Sequence, residues 1–158
     1  MTITVYRGAE LIDFLQVCSK LPADEIEQLE AFSGEPYNWQ RVAAIFSQRP
    51  GPTWTIVADG TPIVVAGFDQ IRPGVWQDWL LSTPAAWDTH WRSVTKIARR
   101  AMDGMLRDGA HRLQCVSLAS RIHAHRWYRP LGLQLEGTLR GYGVNGEDAM
   151  MFSRLRNP

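Results

Sequence analysis

No apolar run in this sequence approaches the roughly 20 residues needed to span a bilayer, which excludes a membrane-spanning helix. The opening stretch, MTITVYRGAE, lacks the charged-then-apolar pattern of a secretory signal. Cysteine occurs only at Cys18 and Cys115, in no metal or redox spacing. The reading is two reduced thiols in a cytoplasmic protein. No internal repeat or linker interrupts the 158 residues, so a single domain over residues 1–158 is expected, long enough to bury one core. Lysine is limited to Lys20 and Lys96, so nearly every base is an arginine.

What is present is an ordinary globular composition, 45 % hydrophobic and 21 % charged, with an uneven charge distribution. Residues 1–71 carry four bases against nine acids, a net −5, and residues 72–158 carry thirteen bases against seven acids, a net +6. Guanidinium groups pair with phosphate and carboxylate in a two-toothed geometry. The C-terminal half therefore suits an anionic partner, a phosphate-bearing cofactor or nucleic acid, or else presents a solvated arginine face.

Hydropathy patterning sets out the elements. Thr2–Tyr6 reads as a strand and Gly8–Ser19 as a helix with Leu11, Ile12, Leu15 and Cys18 inward. A second helix begins after Pro22, with Asp24, Glu25 and Glu27 at the positive end of its dipole and Ile26, Leu29 and Phe32 as its stripe. Trp39, Val42, Ala43 and Phe46 mark a third. Residues 53–58 and 61–68 flank Asp59-Gly60 as a hairpin, and residues 69–74 read as a loop. VWQDWLLS, residues 75–82, is apolar on both faces except for Gln77 and Asp78, as a central strand would be. One helix is expected from Pro84 to about Gly109, with Trp87, Trp91, Val94, Ala98, Ala101 and Met105 as its stripe. Residues 111–118 form a strand. Ser120 is placed to cap a short helix that Pro130 and Gly132 end. Strands near Leu133–Gly137 and over residues 148–155 close the chain.

Tyr128-Arg129-Pro130-Leu131-Gly132-Leu133, with Ala124 four residues before the tyrosine, resembles the C-terminal signature of the GCN5-related N-acetyltransferase (GNAT) fold. Glu136-Gly137-x-Leu139-Arg140-x-Tyr142 is similar to the strand just beyond that signature in the family. The order of elements is also the GNAT order. The resemblance implies a single-domain α/β fold with a mixed, mostly antiparallel sheet flanked by helices. It implies an acyl-CoA-dependent N-acyltransferase that moves an acetyl group from acetyl-CoA to a primary amine on a small molecule, a protein or a modified nucleotide.

Such a transfer needs the amine deprotonated, the thiolate protonated and the diphosphate held. The resemblance makes Tyr128 the general acid, a role suited to a phenol with a reference pKa of about 10. Asp78 is the candidate base, because burial among aromatics would raise its pKa. Glu136 and Gln77 are weaker candidates. In GNAT enzymes the diphosphate lies on backbone amides after the fourth strand, which here places it on Leu81, Ser82, Ala85, Ala86 and Trp87. That segment contains no glycine and no base, unlike the usual Q/R-x-x-G-x-G/A loop.

Trp79-Leu80-Leu81-Ser82-x-x-x-x-Trp87, leading into a basic helix, resembles a diverged GNAT-like family of phage proteins that includes the internal virion protein A of short-tailed coliphages. That resemblance implies a phage-encoded protein in the host cytoplasm. Its alternative function is catalytically inactive, in virion assembly or partner binding. His123 and His125 are two apart, cannot form an i, i+4 metal pair, and read as surface or partner-facing residues. Ser82 and Ser117 have no histidine partner evident in sequence. Arg99-Arg100 reads as a solvated helix face. Trp76, Trp79, Trp87, Trp91 and Trp127 cluster on the elements around the expected cleft, where they suit a core, a flat ligand or a partner.

Overall fold

A computed structural model describes residues 1–157. The chain runs β1 (Ile3–Arg7), α1 (Leu11–Cys18), α2 (Ala23–Ser33), α3 (Trp39–Ser47), β2 (Thr53–Ala58), β3 (Thr61–Arg72), β4 (Val75–Ser82), α4 (Pro84–Asp88), α5 (Trp91–Arg107), β5 (Arg112–Leu118), α6 (Ile122–Tyr128), a 3₁₀ turn (Arg129–Leu131), β6 (Gln134–Leu139) and β7 (Ala149–Leu155). The seven strands form one sheet in the order β1-β2-β3-β4-β5-β7-β6. Every neighbouring pair is antiparallel except β4 and β5. This is the mixed, mostly antiparallel sheet flanked by helices that the sequence leads one to expect, with β4 at its centre.

The two faces of β4 arise from its period of two. Trp79 and Leu81 face α1 and α3, where Phe14, Val17, Phe46 and Val65 are buried. Trp76 and Leu80 face α5 and α6, against clusters built on Met102, Leu113 and Phe152 and on Val64, Ala86 and Val94. Each fully buried Phe, Leu or Val contributes about 1.5–3 kcal/mol relative to an exposed one. The fold thus rests on both faces of its central strands.

Several local expectations are corrected. Helix α1 buries Asp13, Phe14, Val17 and Cys18, while Leu11 and Ile12 are half exposed. The Asp13 carboxylate explains the rotation. It accepts from the Tyr6 hydroxyl at 2.6 Å, the Thr55 hydroxyl at 3.1 Å and the Glu10 amide at 2.9 Å, so a polar residue takes an inward position. Strand β3 continues to Arg72 instead of ending in a loop, because Asp69 and Gln70 still pair with Gln77 and Trp76.

The expected helix from Pro84 breaks at Thr89–His90. His90 is buried and its carbonyl accepts the first bond of α5, from Val94, at 3.0 Å. The break turns Trp91 outward, where a straight helix would have buried it on the Trp87 stripe. Ser120 does not cap α6, whose N-cap position is Arg121 with no side-chain bond. Gly132 does end that segment, at φ +82°.

Candidate active site

Strands β4 and β5 pair over only three residues, Val75–Gln77 with Arg112–Gln114. The Gln114 amide donates to the Gln77 side-chain carbonyl at 3.2 Å and clasps the last rung. Beyond it the strands part, though β4 stays bonded to β3 as far as Ser82 and β5 to β7 as far as Leu118. The Thr83 amide donates to the Ile63 carbonyl on β3 at 2.9 Å. By strand alternation the Asp78 carbonyl and the backbone groups of Leu80 and Ser82 therefore point into the gap. A cleft of about 1000 Å³ passes through the gap and is lined from both faces of the sheet.

Asp78 is the first β4 residue past the clasp. Its side chain lines the cleft, and Oδ2 is buried with no hydrogen-bond partner among the described residues. Burial alone pushes its carboxyl from 3.8 up to about 7, where a carboxylate is a useful base. Tyr128, at the end of α6, lines the same neck. Its ring packs edge-on against Phe152 at 4.9 Å, and its phenol has Cys115 and Ser117 as polar neighbours. Burial is the main cause that raises the phenol above its ordinary value, with the neighbouring Asp78 carboxylate adding. Burial likewise holds the Cys115 thiol well above its usual range, so it stays protonated and is not a nucleophile. The structure thus brings Asp78 and Tyr128, fifty residues apart in sequence, to one place.

Helix α2 crosses the open end of the gap. Glu25 accepts from both the amide of Ser82, at 3.0 Å, and its hydroxyl. Gln28 accepts from the Leu118 amide at 2.8 Å, and Asp24 pairs with Arg121 at 3.0 Å. One polar stripe of α2 therefore serves the last open donors of both strands. Burial raises the Glu25 carboxyl from 4.5 to about 7, opposed by the two Ser82 bonds. Sequence reasoning placed Asp24 and Glu25 at the helix dipole and missed this role. Their i, i+1, i+4 relation to Gln28 was the available signal.

Of the five residues expected to cradle a diphosphate, most have other duties. Leu81 is buried in the core beneath α1 and α3. Ser82 has its amide and hydroxyl on Glu25, and its oxygen also accepts from Trp87 Nε1 at 2.7 Å. The Ala86 amide is turned back to the Thr83 carbonyl at 3.1 Å. The Ala85 amide is exposed and has no protein partner among the described residues. The Trp87 indole meets that of Trp127 edge-on, with centroids 4.8 Å apart, which bridges α4 to α6. Trp127 Nε1 donates to Thr95 on α5 at 2.8 Å and fixes the bridge.

Of the remaining candidates, Glu136 lies on β6, where Arg112 binds it at 2.6 and 2.7 Å and Ser153 at 2.6 Å. Those bonds hold its carboxyl down at about 2, so it is no base. Gln77 is the clasp. His125 is not a free surface group. It packs on Phe152 at 5.0 Å and its Nε2 lies 3.3 Å from Ser117 Oγ, the histidine partner that sequence did not reveal. Burial lowers its pKa. His123 lines the cleft. Arg99 and Arg100 are exposed on α5, while Arg112, Arg121 and Arg154 of the basic half each pair with an acid. Among the described residues there is no cluster fit for a metal, and no helix is long and apolar enough to cross a membrane.

No protein-family model matches this chain, and no curated protein matches it in sequence. Solved structures do. An acetyltransferase of the GNAT family from Streptococcus pneumoniae superposes with a TM-score of 0.70 at 12 % identity, over 99 % of this chain and 100 % of that one. The fold is that of the GNAT-family acetyltransferases. A Salmonella typhimurium protein, described as an acetyltransferase and solved with its cofactor acetyl-CoA, gives a TM-score of 0.75 at 15 % identity, covering 100 % and 96 % of the two chains. AAC(6')-Ib, in complex with ribostamycin and coenzyme A, gives 0.72 at 18 % identity, covering 99 % and 94 %. At these identities the likeness is one of fold, so GNAT describes the architecture here and the chemistry must come from the site.

Proposed function

We propose that this protein is an acyl-CoA-dependent N-acyltransferase that acetylates a primary amine. The observation that carries the reading is the meeting of Asp78 and Tyr128 at the neck of a cleft open to both faces of the sheet. Acetyl-CoA, the ligand of the Salmonella neighbour, would supply the acetyl group as a thioester whose thiol is the leaving group.

The acyl end fits the residues present. The Asp78 carbonyl and the backbone groups of Leu80, beyond the last rung shared with β5, suit an extended, amide-bearing chain laid along the strand edge. Asp78, ionised at neutral pH and above, takes a proton from the incoming ammonium. The free amine nitrogen then bonds to the acyl carbon, and the carbon–sulfur bond breaks. The Tyr128 phenol gives its proton to the departing sulfur and regains one from the new amide nitrogen. The balance is one amide, one thiol and one proton released. The diphosphate end fits less well, since the Ser82 and Ala86 amides of the expected cradle are already bonded, which leaves those of Ala85 and Trp87.

A second reading is favoured by the Trp87–Trp127 bridge and by the Ser82 donors already held by Glu25. It is an inactive GNAT-like protein that binds a partner. The short Trp79–Trp87 pattern supports placing it in a phage and in the host cytoplasm. Calorimetric titration with acetyl-CoA and with CoA separates the two. Micromolar binding is the expected result. No binding at millimolar cofactor would favour the partner-binding reading.

A further inference from the structure

On the α1–α3 side the cleft widens into a trough between α2 and α3. Leu29 and Phe32 form one wall, Val42, Ile45 and Phe46 the other, and Tyr142 closes the end by an edge-on contact with Phe32 at 5.3 Å. Trp79 is the floor, stacked edge-on against Phe46 at 5.0 Å. Ile45 is 54 % exposed and Tyr142 is 51 % exposed, a high share for apolar and aromatic side chains.

The charges around this trough are arranged in a particular way. Arg41 at its rim pairs with Glu35 at 3.8 Å. Arg49 pairs with Asp69, and its guanidinium lies over the Phe46 ring at 4.0 Å. Each cation is thus matched by an acid. Across the gap, on the α5–α6 face that it shares with Trp76 and Leu80, stands Asp78, a carboxyl that lines the same cleft and whose Oδ2 has no partner among the described residues. Asp24, Glu25, Gln28, Ser33 and Glu35 also line the cleft, and Asp78 is the lining carboxyl with a buried oxygen left without a partner among the described residues.

We infer that the amine acceptor is a small monoamine on an apolar, aromatic body, held with its ring between α2 and α3 and its ammonium at Asp78. This rests on the acyltransferase reading and narrows it. Aromatic walls favour a flat ring. A single ammonium matches a single unpartnered carboxyl. The trough, not the neck, sets specificity, and Ile45 is its most accessible wall residue.

The test compares acceptors with acetyl-CoA at saturation: 2-phenylethylamine and tryptamine against spermidine, ribostamycin and a short peptide with a free alanine N-terminus. We expect kcat/KM for the two aryl amines to exceed the others at least tenfold. Ile45→Lys puts a cation on an exposed wall position that a folded chain tolerates. It is expected to raise KM for 2-phenylethylamine at least tenfold, with kcat and the KM for acetyl-CoA little changed. Faster acetylation of spermidine, ribostamycin or the peptide overturns the inference, as does an unchanged KM in Ile45→Lys. If calorimetry first shows that acetyl-CoA does not bind, the acyltransferase reading falls and this inference with it. Binding without aryl-amine preference overturns the inference alone.

Discussion

Glu25 on α2 accepts both the amide and the hydroxyl of Ser82, 57 residues further along the chain. One carboxyl thereby fixes the end of β4, while Gln28, one turn later, fixes the end of β5 through the Leu118 amide at 2.8 Å. The two strands that part at Asp78 are held at a set separation by a single helix.

That arrangement makes Gln28 a measurable tie. Gln28→Ala leaves the Leu118 amide without its acceptor and is expected to cost about 1–3 kcal/mol. Hydrogen exchange at Leu118 should quicken, while the exchange of Cys115, central in β5 and paired with Phe152, stays slow. Uniform quickening along β5 would mean that Gln28 supports the whole strand and not its open end.

Asp78 gives a prediction in which stability and activity move apart. Its carboxyl sits at about 7 in the folded protein and near 3.8 when unfolded, so the fold prefers the protonated form. The stabilising contribution of protonation is complete below about pH 4 and is lost as the pH rises through 7. Asp78→Asn removes this dependence. At pH 8 the variant should be more stable than the parent by on the order of 3 kcal/mol, with equal stability near pH 4. Turnover should fall by about 10²-fold or more, as for loss of a general base. Urea unfolding at both pH values and a rate measurement check the two halves separately.

Tyr128→Phe keeps the ring packed on Phe152 and removes only the phenol. Turnover is expected to fall by about 10²-fold, with acetyl-CoA affinity within a factor of two of the parent. The check is steady-state kinetics with calorimetry on the same preparation. Unaltered turnover would take the phenol out of the mechanism.

Gly67 lies against the floor of the trough, and Gly51 lies against the backbone of β3 beside it. A Cβ on Gly67 would lie 2.6 Å from the Trp79 ring and 2.8 Å from the Pro52 carbonyl oxygen, and one on Gly51 would lie 1.7 Å from the Phe68 carbonyl oxygen. Gly67→Ala is expected to lose about 1–3 kcal/mol, and Gly51→Ala more, because its clash is with backbone that cannot step aside. Denaturant midpoints give the ranking.

Much of the fold was legible because local chemistry and tertiary role agree. Asp59-Gly60 between two β-branched runs is a hairpin in isolation and in the sheet. The apolar run of β4 reads as central and is central. The helices were harder where a polar residue takes an inward position. Asp13 and Glu25 are both buried because each collects donors from distant strands, and no periodicity reports a bond made 42 or 57 residues away. The same reasoning applies to the site. Asp78 was identifiable as a carboxyl in an apolar strand, and Tyr128 through its resemblance. The three-residue pairing of β4 with β5, which turns them into neighbours at an opening, is a property of the sheet and not of either strand.

Strand β7 lies between β5 and β6, although it comes after both in the chain. The hydrophobic seat of Tyr128 and His125 is Phe152, in the middle of that strand. A chain cut by a protease before Ala149, or still emerging from the ribosome at that point, contains the entire Tyr128 segment, tied to α4 and α5 through Trp127 but without its Phe152 seat. Assembly of the site must therefore wait for a non-local strand insertion, a slow kind of event in folding. Activity regained after dilution from denaturant should consequently lag behind helix formation, and partial chains should be inert however much helix they contain.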